Sequence, residues 1–77
     1  MHARIELNPQ IYHGKRVIKG TRVMVATILG ALAGGDTAEM ILEDYPNITQ
    51  GDIMAALAFA SEISQFEDIS YELNPIF

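Results

Sequence analysis

Residues 36–57, DTAEMILEDYPNITQGDIMAAL, contain the start and stop signals of two consecutive helices. Either Asp36 or Thr37 can accept a hydrogen bond from the free N–H groups of a first helical turn, and Pro46 ends that helix because the residue before a proline is disfavoured in helical backbone angles. Thr49 caps the next helix, and an acid three residues later completes a reciprocal capping pattern. The stretch therefore predicts two helices joined by a short connector, as in a helix-turn-helix.

The apolar spacing before this stretch predicts another helix, which ends at Gly34 and Gly35. Its stripe follows the i, i+3, i+4, i+7 pattern: Val25, Ile28, Leu29 and Leu32. The stripes of the two later helices are Ala38, Ile41, Leu42 and Tyr45, and then Ile53, Ala56, Leu57, Ala60 and Ile63. Gly30 in the first helix would permit close approach of a neighbouring helix. Packing of the three stripes predicts a mainly α, three-helix core over residues 24–64.

The segments on either side of the predicted core have other patterns. Residues 1–23 combine β-branched residues with turn formers, which predicts a short N-terminal β-hairpin. Near the other end, Ile69, Tyr71 and Leu73 alternate with polar residues, which predicts a C-terminal strand or an extended acidic tail over residues 65–77. The sequence therefore predicts one domain, residues 1–77, with a basic hairpin region, a helical core and an acidic tail.

Length and composition exclude several classes of protein. A chain of 77 residues buries only about 60% of its unfolded surface, so one core is the limit. A hydrophobic content of 49% is too high for an intrinsically disordered chain. The absence of cysteine excludes disulfides and thiolate metal sites, and the N-terminus lacks a signal-peptide pattern. We therefore expect a cytoplasmic protein with no membrane role.

The charges are segregated along the chain. All five basic residues lie within residues 1–22 together with one acid, Glu6, for a net charge of 5 − 1 = +4, whereas residues 23–77 contain nine acids and no base, for a net charge of −9. The basic residues are Arg4, Lys15, Arg16, Lys19 and Arg22. This asymmetry indicates that the two ends meet different partners, or one partner at surfaces of opposite sign.

A longer motif is carried by the basic region. GKRVIKGTRV at residues 14–23, followed by Ile28-Leu29, Tyr45-Pro46 and residues 52–57, resembles domain of unknown function 433, a small prokaryotic family with a homeodomain-like helix-turn-helix fold that is grouped with VapB-type antitoxins. The resemblance covers roughly residues 4–63. It implies an antitoxin encoded beside a toxin with a PIN-like nuclease fold, with repression of its own operon as a second role. Arg16 and Met24 stand where the family usually has proline.

Catalysis is disfavoured by the residue types present. His2 and His13 are the near-neutral acid–base groups, and neither belongs to a nucleophile–base set. Glu39 and Glu43 are one helical turn apart, which indicates a solvated polar face better than a metal site. The glycines of the basic region lack the Gly-Lys-Ser/Thr ending of a phosphate loop. We expect neither an enzyme nor a cofactor or metal.

Binding of a protein partner is the first functional interpretation. PIN-like nucleases hold catalytic metals with clustered carboxylates, and Arg16 or Arg22 could pair bidentately with those acids. Arg22 could instead pair with a helix acid of its own domain. The acidic tail would cooperate by laying apolar side chains along the toxin, or else would complete a sheet of its own domain or of a dimer. The tail candidates are Phe66, Ile69, Tyr71 and Leu73.

The alternative interpretation is a stand-alone helix-turn-helix regulator that binds duplex DNA as a homodimer. The candidate phosphate contacts are Lys15, Arg16, Lys19 and Arg22. Thr49 and Gln50, at the start of the second helix of the pair, would contact base edges. Against this interpretation, Asp52 has the wrong sign for a phosphate-rich partner, and that helix contains no cation.

Overall fold

The computed structural model describes residues 3–10 and 14–73, with side chains described through residue 65. The elements in chain order are β1 (Ile5–Leu7), β2 (Arg16–Ile18), α1 (Val25–Ala33), α2 (Ala38–Asp44) and α3 (Gln50–Leu73). The prediction of a mainly α, three-helix domain with a short N-terminal β-hairpin is confirmed.

Strand β2 is the centre of the small sheet. It pairs with β1 in antiparallel orientation, with Ile5 opposite Ile18. On its other edge, Val17 forms a bridge with Met24, and the Ile18 amide donates to the Val23 carbonyl over 2.9 Å. Val17 and Ile18 are both buried. Because consecutive side chains of a strand point to opposite faces, β2 is covered on both faces as well as paired on both edges.

The core forms where one isoleucine from each helix meets the hairpin. Ile28, Ile41 and Ile53 pack with Ile18 in one buried cluster, which Val23, Val25, Ile48 and Ala56 complete. The apolar stripes predicted for α1 and α2 include Ile28 and Ile41, as expected. The stripe predicted for α3 is correct at Ile53 and Ala56, which are buried.

The predicted burial of two residues in the α3 stripe is wrong. Leu57 is 42% exposed and Ile63 is 45% exposed. Leu57 lies beside the buried line through Ile53 and Ala56 and faces outward. Ile63 lies beyond the core because α3 is long: at 1.5 Å per residue, its 24 residues extend about 36 Å, whereas the nine residues of α1 extend about 14 Å.

The helix caps form as the sequence predicts. Thr37 accepts a hydrogen bond from the Met40 amide at 3.2 Å and is the N-cap of α2. Thr49 and Asp52 form a reciprocal box at the start of α3: the Asp52 amide donates to Thr49 Oγ1 over 3.3 Å, and the Thr49 amide donates to Asp52 Oδ2 over 2.9 Å. Among the described residues, no helix makes the close approach to Gly30 that was expected, since Gly30 is exposed and a Cβ there would meet nothing within 4 Å.

The predicted C-terminal strand or extended tail is wrong up to Leu73, because α3 continues to that residue. Phe66, Ile69 and Leu73 have the i, i+3, i+7 spacing of a helix, which overlaps the alternating pattern that predicted a strand. No glycine or proline occurs between Gly51 and Pro75, so the capped helix meets no breaker until the residue before that proline. Residues 74–77 of the predicted tail lie outside the described residues.

Candidate partner-binding surfaces

A tight loop after β2 presents two of the predicted cations. Thr21 fixes this loop: its amide and its Oγ1 both donate to the Ile18 carbonyl over 2.9 Å, and the same Oγ1 accepts from the Val23 amide at 3.0 Å. Gly20 has a φ of 80°, which L side chains rarely adopt. Lys19 and Arg22 are both exposed on this loop. The Gly-Thr pair of the basic motif therefore shapes the loop that carries these two cations.

The four cations of the hairpin divide into two pairs. Lys15 and Arg16 lie at the start of β2, whereas Lys19 and Arg22 follow its end. At about 3.3 Å per strand residue, the backbones of Arg16 and Lys19 lie about 10 Å apart. The structure therefore places the predicted phosphate-contacting residues at two ends of the hairpin.

Arg16 forms the rim of an apolar cleft. Its guanidinium carbon lies 5.4 Å from the centroid of the Phe59 ring, within the range of a cation–π contact. The cleft has a volume of about 160 Å³ and almost wholly apolar walls. Its lining includes Lys15, Arg16, Met24, Ala26, Leu29 and Phe59. Sequence reasoning missed this cleft because Phe59 is 43 residues from Arg16 and belongs to no motif.

Arg4 joins the hairpin to the start of α3. Its Nη1 donates to Asp52 Oδ1 over 3.3 Å, and its carbonyl accepts from the Lys19 amide at 2.7 Å. The guanidinium lies over Gly51, where a Cβ would approach Arg4 Cζ to 2.9 Å. The arginine that pairs with a helix acid is therefore Arg4, whereas Arg22 has no ion pair with the side chains described for this chain.

The predicted base-reading residues lie at the first turn of α3. Thr49 and Gln50 are both exposed, and Thr49 Oγ1 is already an acceptor in the capping box. The Asp52 side chain is 10% exposed and paired with Arg4, so it presents less negative charge to a partner than its position in the sequence suggests. Arg4 also places a cation beside a helix that contains none of its own.

The remaining candidate residues are the four apolar residues of the predicted tail, the two histidines and the two glutamates of α2. Phe66, Ile69, Tyr71 and Leu73 all fall within α3, but their side chains lie outside the described set. His2 and His13 lie outside the described residues altogether. Glu39 and Glu43 are exposed. Across residues 3–10 and 14–65, no three His, Asp or Glu side chains come close enough to form a metal site.

A two-stranded hairpin packed on three helices defines a small, mainly α domain. A family model described as protein of unknown function, DUF433, matches residues 5–60, and the chain belongs to this family. In the described part of the chain, none of the helices has the length and apolar character needed to span a membrane.

One solved structure is similar over almost the whole chain. It is the crystal structure of a DUF433 member protein from Anabaena variabilis, with a TM-score of 0.69 and 28% sequence identity. The match covers 94% of this chain and 60% of that one, so this chain spans three-fifths of the length of its structural relative. A comparison with curated proteins finds no match.

Proposed function

We propose that this protein is a non-enzymatic, cytoplasmic module of the antitoxin type, which binds and neutralises a partner nuclease with a PIN-like fold. The observation that carries the proposal is the presentation of Arg22. This exposed arginine lies beside Lys19 on a loop that Thr21 fixes through three hydrogen bonds. A loop already held in one conformation loses little conformational entropy when it binds.

The chemistry of Arg22 suits a carboxylate-rich nuclease site. A guanidinium presents a planar fork of N–H donors, which can bind a carboxylate through two parallel hydrogen bonds. An arginine inserted among carboxylates that hold a catalytic metal would compete with the metal and with a phosphate substrate. Arg16 is less suited to this role because its guanidinium lies over Phe59. The proposal therefore assigns the neutralising contact to Arg22 and a supporting charge to Lys19.

Copurification with the products of neighbouring genes tests this proposal. The tagged protein is expressed from its native operon, and the intact complex is weighed by native mass spectrometry. We expect a nuclease-like protein to copurify in stoichiometric amount. Arg22→Glu should abolish its binding, whereas Arg22→Lys should only weaken it, because lysine keeps the charge but loses the planar fork of N–H donors. Arg16→Glu is the matched control, with the same charge change at the other end of β2, and should retain the nuclease. A nuclease complex that survives Arg22→Glu would remove the proposed mechanism.

A second candidate function, sequence-specific DNA binding, is favoured by the position of Arg4. Its guanidinium lies over Gly51, beside exposed Gln50, at the end of α3 that would enter a major groove. This arrangement supplies the cation that α3 lacks. Phosphate contacts would come from the hairpin, and repression of the protein's own operon would follow.

Duplex binding as a function of salt tests this second function. Log K should fall linearly with log salt concentration, by about 0.9 for each phosphate contact. Lys19→Ala should reduce that slope by about one contact, and Gln50→Ala should reduce sequence preference while leaving the slope unchanged. If the protein does not bind duplex DNA, or if its affinity for duplex DNA does not depend on salt, the DNA-binding role is eliminated.

A further inference from the structure

The second half of α3 is an apolar and acidic segment that extends beyond the core. The helix is buried at Ile53 and Ala56 but 45% exposed at Ile63, and it continues for ten more residues to Leu73, about 15 Å of helix. From residue 62 to residue 73 the sequence contains four acids and no base. The family match ends at residue 60, so this segment lies outside it.

The cleft beside Arg16 has the complementary properties. Its floor is apolar, and its rim carries the exposed cations Lys15 and Arg16. Ile63 lies one helical turn after Phe59 and on the same side of α3, so the apolar surface of the cleft continues along the helix to Ile63. A ligand for this surface should be apolar on one side and acidic at its edges.

The C-terminal half of α3 has this composition but cannot reach the cleft of its own chain. Phe59 forms part of the cleft wall, and α3 continues from there as one uninterrupted helix to Leu73. A continuous helix leads away from its own starting point. The apolar and acidic segment can therefore meet such a cleft only in another molecule.

We propose that two copies of this chain form a symmetric dimer in which the C-terminal half of each α3 lies along the Lys15–Arg16–Phe59 cleft of the other copy and inserts side chains into it. The two contacts are equivalent under twofold symmetry, as in most homodimers. The two α3 helices run antiparallel and cross at Ile63. Each exposed Ile63 then packs against its counterpart on the axis.

The antiparallel register also places three of the four acids of each segment opposite uncharged positions, whereas the fourth, Glu62, lies beside the axis. With Ile63 on the axis, residue n of one helix lies opposite residue 126 − n of the other. Positions 67, 68 and 72, which are acidic, then lie opposite positions 59, 58 and 54, none of which is charged. Parallel helices would instead align these acids with their own copies, and like charges side by side are destabilising.

Sedimentation equilibrium of the full chain tests the dimer. We expect twice the 8.5 kDa chain mass at micromolar concentration. Ile63→Asp should raise the dimer Kd at least about a hundredfold, because it places two unpaired carboxylates on the axis. Leu57→Asp is the control: Leu57 is exposed to a similar extent but lies on the side of α3 opposite Phe59, and this variant should dimerise as the unsubstituted protein does. Circular dichroism confirms the fold of each variant. The proposal would be overturned if the unsubstituted protein is monomeric, or if the two substitutions change the dimer Kd equally.

A charge exchange tests which segment occupies the cleft. Arg16→Glu alone and the pair Glu67→Lys with Asp68→Lys alone should each raise the Kd at least about tenfold, because each brings like charges together. An equimolar mixture of the two variants should form a heterodimer, because the carboxylate introduced by Arg16→Glu then faces the two introduced lysines, while Glu67 and Asp68 of the other contact face Lys15 and Arg16. If the mixture stays monomeric, or if both variants dimerise as the original does, the cleft is not the binding site of α3. The same Arg16→Glu variant is expected to retain the nuclease partner, so the two proposals fail separately.

Discussion

The guanidinium of Arg4 lies 3.3 Å from Asp52 and joins the residue before β1 to the first turn of α3. The other oxygen of the same carboxylate accepts the Thr49 amide at 2.9 Å. Asp52 therefore has two roles: it caps α3, and it holds the start of the hairpin against that helix. The Arg4 guanidinium and the Thr49 amide together offset the cost of burying the Asp52 carboxylate.

Removal of the Asp52 carboxylate should destabilise the fold more than removal of its cationic partner. Asp52→Ala loses half of the capping box as well as the ion pair, and we expect a loss of about 1–2 kcal/mol in the free energy of unfolding. Arg4→Ala should cost less than about 1 kcal/mol, because the Arg4 side chain is 57% exposed. Urea denaturation followed by circular dichroism measures both. Equal losses of unfolding free energy in the two variants would show that the capping box contributes little to stability.

A methyl group at Gly51 should uncouple Arg4 from Asp52. The added Cβ would lie 2.9 Å from Arg4 Cζ, and the flexible arginine side chain would move away. We therefore expect Arg4→Ala to have almost no further effect on stability in a Gly51→Ala background. A double-mutant cycle measures this coupling. If the two substitutions change the free energy of unfolding additively, the contact between Arg4 and Asp52 does not require the open space above Gly51.

Alanine should have opposite effects at two exposed glycines. Gly20 has a φ of 80° in the loop after β2, so Gly20→Ala should destabilise the fold by about 1–2 kcal/mol. Gly30 lies within α1, and a Cβ there meets nothing within 4 Å, so Gly30→Ala should stabilise the fold by up to about 1 kcal/mol. Thermal unfolding compares the two variants. A stabilising effect of Gly20→Ala would contradict the positive φ at Gly20, and a destabilising effect of Gly30→Ala would contradict the open space at Gly30.

Proline should be accepted at Met24. This N-cap residue of α1 has a φ of −74°, close to the value that a proline ring imposes. Within the described chain, the Met24 amide donates no hydrogen bond. We expect Met24→Pro to raise the free energy of unfolding by about 0.4–1 kcal/mol. Val23→Pro is the neighbouring control, and it should destabilise the fold because the Val23 amide donates to Thr21 Oγ1.

The Thr21 hydroxyl should affect both stability and partner binding. Thr21→Val keeps the shape but loses the hydrogen bonds of Oγ1 to Ile18 and Val23, for an expected loss of about 1–3 kcal/mol. Thr21→Ser retains the hydroxyl and should cost less. If the loop presents Arg22 to a nuclease, Thr21→Val should also weaken that complex more than Thr21→Ser does. Denaturation and pull-down experiments compare the pair.

Local signals in the sequence were sufficient for most of the fold. The Thr37 and Thr49 caps, Pro46 and the 3.6-residue apolar period predicted all three helices because each signal acts within one or two turns. The end of α3 was predicted incorrectly for a related reason. Over so short a stretch, the alternating residues 69–73 fit a strand, whereas the absence of a breaker after Gly51 was the stronger signal.

The surfaces were less predictable than the elements. The Arg4–Asp52 pair joins residues 48 apart, and the Arg16–Phe59 contact joins residues 43 apart. Neither pairing has a local signal, because both depend on how the hairpin lies across α1 and α3. The loop around Thr21 was different, since the motif that indicated it is contiguous, and the structure shows why its Gly-Thr pair is needed.

The double pairing of β2 also limits how this protein can associate with other chains. Because β2 has a neighbour on each edge, the described hairpin offers an outward edge only along β1, which is three residues long. Asn8 and Pro9 follow it, and proline has no N–H to extend a ladder. Such a short edge is a poor template for β-augmentation or for edge-to-edge aggregation. Within the described residues, recognition is therefore expected to use side chains and helices rather than the addition of a strand.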